Sequence, residues 1–268
     1  MDATIIATDA GVGFEAGKQT YHEPATIVQD GKPFAVVPSG STVVDMEAYL
    51  PAPLRAKETV NVFDAESLVA YLKDFGGPNS KVFGSVGNTS LAAILDYHGK
   101  DAPSWGTHKA ILKCQLSDDW KAWVAQSGKA FGQTAFAEFI EEHQWNVADP
   151  DSADLQEMVS KLELNKSVVF KSAIKLQDGS VSLEYVESIE DNTKGKIKIP
   201  SKLVLGLSPF KFGKPVEVLA RLRYRLADGG RITFTYLLDQ PDVVLEAAFK
   251  AVVDEVAQKS GLSVYLTD

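Results

Sequence analysis

The most constraining stretch of this chain is VEVLARLRYRLADGGRITFTYLL, residues 216–238. Its apolar and charged residues alternate on both sides of Asp228-Gly229-Gly230, a turn signal. A period of two places successive side chains on opposite faces of a strand and does not fit the 3.6-residue period of a helix. The run therefore reads as a long antiparallel hairpin. Arg221, Arg223 and Arg225 stand on one face, while Leu222, Tyr224 and Leu226 enter a core.

The same pattern recurs in SVVFKSAIKLQDGSVSLEYVES, which predicts a second hairpin around Asp178-Gly179, and in ATIVQDGKPFAVVP around Asp30-Gly31. Helical spacing appears between these runs. Asp64 stands at an N-cap position ahead of Leu68, Tyr71, Leu72 and Phe75, and Gly76-Gly77-Pro78 ends that helix. Ser117 and Thr134 are placed to cap two further helices, the first with Trp120 and Trp123 on one face, the second with Phe136, Phe139 and Ile140. Strands are expected at Thr59–Phe63, Ser90–Tyr97 and His108–Leu116, the last two as an antiparallel pair. A helix follows at Leu155, Val159 and Leu162, and Pro241 opens a terminal helix that Gly261 closes.

The fold class is α+β, with a mixed strand and short-helix first half and an antiparallel, hairpin-rich second half backed by a terminal helix. The expected organisation is an arm over 1–24, an α+β region over 25–150 and a β-rich region over 151–268. The last two form either separate domains or one continuous one, with any break at Asp149–Ser152.

Lysine and arginine number 27 against 36 acids, a net charge of −9, which disfavours indiscriminate contact with nucleic acid or anionic lipid. The charge is unevenly spread. From Lys194 to Arg231 there are six lysines and four arginines against Glu217 and Asp228. The chain shows no signal-peptide pattern and no apolar run long enough for a membrane helix, so a cytoplasmic protein with no membrane partner is expected. The single cysteine, Cys114, reads as a small apolar side chain rather than a nucleophile.

Three groups of residues carry chemical possibilities. Arg221, Arg223 and Arg225, with Arg231, Lys196 and Lys198, form basic rows. These suit acidic groups of the same protein or a second subunit, nucleic acid, or another anionic ligand. Phe210, Phe212, Phe234 and Tyr236 lie nearby in sequence, but those on the core face are unable to stack on bases. Asp96, His98 and His108 compose a donor set competent for zinc or iron if the hairpin brings them together. The same three side chains are also able to serve acid-base catalysis; otherwise one histidine packs against Trp105 and the other hydrogen-bonds a loop. Trp120 and Trp123 share a helix face that serves either core packing or a partner.

No P-loop, dinucleotide fingerprint or nucleophile elbow is present, and Asp178, Glu184 and Glu187 lack the lysine spacing of a metal-dependent nuclease. No cofactor is expected, and no complete catalytic set is legible.

The segment LDYHGKDAPSWGTHKAILKCQLSDDWKAW, residues 95–123, together with PFAVVPSGSTVVDMEAYL and the β-rich second half, resembles the YfdQ family of prophage and tailed-phage proteins. That family carries a domain of unknown function. The resemblance implies a bacteriophage accessory protein made in the bacterial cytoplasm, and it carries over no catalytic residue. The resulting expectation is a non-enzymatic protein that binds a protein partner or self-assembles. The alternatives are a single-stranded nucleic-acid binding protein in phage replication or recombination, and a metal-dependent hydrolase.

Overall fold

The computed structural model describes residues 4–6, 25–29, 32–36, 42, 45, 47–164, 170–186, 194–226 and 231–268. The chain divides into two compact units, residues 1–56 and 57–268. In the first, β1 (Thr4–Ile6), β2 (Ala25–Gln29) and β3 (Lys32–Val36) form an antiparallel sheet in that order. Gln29 pairs with Lys32, so the hairpin expected here is present, although its Asp30-Gly31 tip lies outside the described residues. Of the expected arm over 1–24, only β1 lies within them.

The second unit runs β4 (Thr59–Val62), α1 (Ala65–Phe75), β5 (Lys81–Ser85), β6 (Ser90–Ile94), β7 (Lys109–Lys113) and α2 (Asp118–Gln126). It continues with β8 (Phe131–Gly132), α3 (Gln133–Glu142), β9 (Val147–Asp149), α4 (Ser152–Leu164), β10 (Phe170–Lys175) and β11 (Val181–Val186). The last elements are β12 (Lys194–Ile199), β13 (Lys202–Leu207), β14 (Val216–Leu226), β15 (Ile232–Leu238), α5 (Pro241–Ser260) and β16 (Val264–Thr267). The architecture is α+β, as expected.

Local chemistry starts and stops these helices. The Asp64 carboxylate accepts the Ser67 amide at 2.7 Å, and Ser117 Oγ accepts that of Trp120 at 3.0 Å, each worth about 1 kcal/mol. The third cap differs from expectation: α3 begins two residues earlier, with Gly132 at the cap position and Thr134 inside the first turn. Gly132 also pairs with Thr233, so the short strand β8 fixes where the helix starts. Pro241 opens α5, and Gly261 ends it at φ +73°.

Three sheets follow. The first is mixed, in the order β16-β5-β6-β7-β4, with both edge strands parallel to their neighbours. Leu91, Ala110 and Leu112 point from one face into a core filled by Leu68, Val69 and Leu72 of α1 and Phe249, Val253 and Val256 of α5. The second sheet is antiparallel, in the order β8-β15-β14-β13-β9, and a third runs β10-β11-β12. Their inward residues share a larger core with α2, α3 and α4, centred on Trp123, Phe136, Phe234 and Tyr236. Leu116 and Leu245 pack against both cores.

Residues 117–240 are thus inserted between the parts of the first sheet, which is completed by α5 and β16 only after the inserted lobe. The break read at Asp149–Ser152 falls where β9 pairs with β13, so segments before and after it share one sheet.

Candidate functional site: an arginine face on the second sheet

Strand β14 alternates as its sequence requires. Val218, Ala220 and Leu222 are buried, while Arg221, Arg223 and Arg225 are exposed on the opposite face. Register extends this row sideways. Arg221 lies opposite Lys202 of β13 and Leu237 of β15, Arg223 opposite Thr235, and Arg225 opposite Thr233. Directly paired residues share a face, so Lys202 and two threonine side chains join the arginines. Lys202 was absent from the sequence-derived site because only the pairing of β13 with β14 reveals it.

Arg221 is tied to the Asp239 carboxylate. Lys202, Arg223 and Arg225 form no ion pair among the described residues. Arg231 is exposed at the start of β15, and the Asp228-Gly229-Gly230 tip beside it lies outside the described residues.

Beyond Lys202 the surface turns into a cleft of about 470 Å³, lined by Lys196, Lys198 and Lys202 together with Asp149, Asp154, Glu157 and Asp178. Here the basic row is compensated. Lys198 Nζ lies 2.9 Å from Asp178 and Lys196 Nζ 3.2 Å from Glu184. The Ser180 hydroxyl and amide and the Lys198 ammonium hold the Asp178 carboxyl at about 2, well below its ordinary value. Glu187, the third member of the discarded nuclease set, lies outside the described residues. The structure therefore joins the two basic rows through Lys202, and on the sheet face Lys202, Arg223 and Arg225 keep uncompensated charge among the described residues.

Asp96, His98 and His108 serve three separate local contacts. The Asp96 carboxylate accepts the amides of Thr107 and His108 at 3.0 and 2.9 Å and closes the 97–107 loop. Burial pushes its pKa upward, but these bonds and the Thr107 hydroxyl outweigh it, so the carboxyl titrates below its ordinary value. His98 Nδ1 accepts the Ser104 amide at 2.9 Å. His108 is buried against Tyr71 and Phe75, with Nε2 2.8 Å from the Tyr71 hydroxyl. Among the described residues no three His, Cys, Asp or Glu side chains come together as a metal site.

Trp120 and Trp123 are both buried in the larger core. The Trp123 indole donates to Asn146 Oδ1 at 3.1 Å, and its carbonyl accepts the Tyr236 hydroxyl at 2.7 Å. Phe210, Phe234 and Tyr236 are also buried, and of the four nearby aromatics only Phe212 is exposed. Burial lifts the Cys114 thiol to about 11, so little thiolate exists at neutral pH. No helix among the described residues is long and apolar enough to cross a membrane.

Fold and surface together define an α+β protein with an open arginine-bearing sheet face and no clustered metal-ligand set among its described residues. The chain belongs to the family of uncharacterized conserved proteins DUF2303, whose model matches residues 15–267. No curated protein and no solved structure matches it.

Proposed function

We propose that this protein acts by binding rather than catalysis, and that the arginine face of its second sheet takes the phosphate backbone of nucleic acid. One observation carries this reading: Arg223, Arg225 and Lys202 stand together on an open sheet face without carboxylate partners among the described residues. Guanidinium groups bind phosphate through paired N–H donors, and in an acidic chain uncompensated cations held on a rigid sheet favour an external anion. Thr233 and Thr235 add hydroxyls, which suit phosphate oxygens. Aromatic side chains of β15 are buried beneath this face, so it offers charge without stacking. The YfdQ-like resemblance supports a bacteriophage or prophage accessory role in the bacterial cytoplasm.

Fluorescence anisotropy with a labelled duplex at low and moderate salt tests the reading, comparing the native protein with the R221Q/R223Q/R225Q variant. Salt-sensitive binding that is lost in the variant supports it. Absence of binding at low salt rejects it. If sedimentation then shows a self-association that the same variant abolishes, the face is a protein interface.

A further inference from the structure

The first sheet has its own open face. Both helices, α1 and α5, lie on the side of Val82, Leu91 and Ala110, and no outward residue of the central strands β5, β6 and β7 is buried. Cross-strand register lines up Tyr265, Phe83, Ala92 and Ile111 on that outer side. Ring contacts extend the line. Phe83 lies 5.6 Å from Tyr265 and 5.3 Å from Tyr97, and Tyr97 lies 5.0 Å from His98, so four rings follow one another. Tyr265, on the edge strand, is 48% exposed.

The charge on this face is one-sided. Lys81, Lys109 and Lys113 point outward from β5 and β7, and no outward position of the five strands holds an acid, although acids exceed bases in the whole chain. None of the three lysines forms an ion pair among the described residues. Glu58, the residue before β4, acts on Tyr71 of α1 and so belongs to the helix side.

We infer that this face is a stacking platform for single-stranded nucleic acid. Unpaired bases have exposed π-faces that stack on Tyr, Phe and His rings, while lysines beside the rings meet the backbone phosphates. A duplex keeps its bases stacked on one another and offers the rings nothing. An acidic protein segment would satisfy the lysines but leave the row of rings unexplained. The inference stands independently of the arginine face, which has charge but no exposed rings.

The test uses the full chain and three labelled probes of one length: a thymidine oligonucleotide, the same backbone with abasic sites, and a duplex. Base stacking contributes about 5- to 140-fold in affinity per base, so the thymidine oligonucleotide should bind at least about 10-fold more tightly than the abasic one. Y265S, a change at an exposed edge position, should remove about 5-fold or more of that preference at unchanged melting temperature. R221Q/R223Q/R225Q should leave the preference intact. Equal affinity for thymidine and abasic probes overturns the platform even if the arginine face binds. No binding of the thymidine probe at low salt overturns it as well, as does self-association lost in Y265S without any oligonucleotide binding.

Discussion

Removing Arg223 and Arg225 together should flatten the salt dependence of duplex binding, whereas removing Arg221 should not. Each cation that displaces a counterion from duplex DNA contributes about 0.9 to the slope of log affinity against log salt. Three groups on the face are free to do so, Lys202, Arg223 and Arg225, while Arg221 already neutralises Asp239. The native slope is then about −2.7, and a fourfold rise in salt lowers affinity by about 40-fold. R223Q/R225Q retains one free cation, so the slope falls to about −0.9 and the same rise costs about 3- to 4-fold. In R221Q one cation is lost and one carboxylate is released; affinity drops at every salt concentration and the slope stays near its native value. Anisotropy titrations at four salt concentrations read all three slopes. Exposed strand positions tolerate such changes within about 0.5 kcal/mol, and circular dichroism verifies the fold. Equal slopes for native protein and R223Q/R225Q would refute the assignment of these arginines to phosphate.

Asn146→Ala should lower the unfolding free energy in urea by about 1–3 kcal/mol, because the fully buried Trp123 indole N–H then has no acceptor. Phe212 sits in the left-handed region at φ +61° with its ring in solvent, so Phe212→Gly should raise stability by about 0.5–1 kcal/mol in the same assay. Asp178 has a folded pKa of about 2, below its ordinary value of 3.8. Its depressed pKa gives a stabilisation that is present above about pH 4 and lost as pH falls towards 2. Melting temperature against pH should therefore fall less steeply across that window in Asp178→Asn than in the native protein, and parallel curves would dismiss the contribution.

Caps and alternating runs were readable because they act within a few residues. Asp64, Ser117 and Pro241 stand where helices begin, and Arg221, Arg223 and Arg225 alternate as β14 does. The features that escaped are settled by distant pairing. The run KVFGS carries a glycine and only two large apolar residues, a weak strand signal, yet it becomes β5 because β6 and β16 flank it. Gly84 sits there with the Leu91 and Leu266 side chains so close that a β-carbon would press on both. Lys202 meets Arg221 only through sheet register, and Phe83, Tyr97 and Tyr265 come from separate parts of the chain. For the same reason Asp96, His98 and His108 looked like a donor set by spacing alone, while the loop between them turns each to its own partner.

The inserted lobe also orders events on the ribosome. Strands β5 to β7 emerge early, but Phe249, Val253 and Val256, which cover Leu91, Ala110 and Leu112 together with α1, follow only after residues 117–240. At about 5–20 residues per second that wait is on the order of ten seconds, long compared with the folding of a small domain. The inserted lobe has time to form while the earlier strands still show an apolar face. A nascent chain stalled before Pro241 should therefore be a chaperone client, and one released after β16 should not.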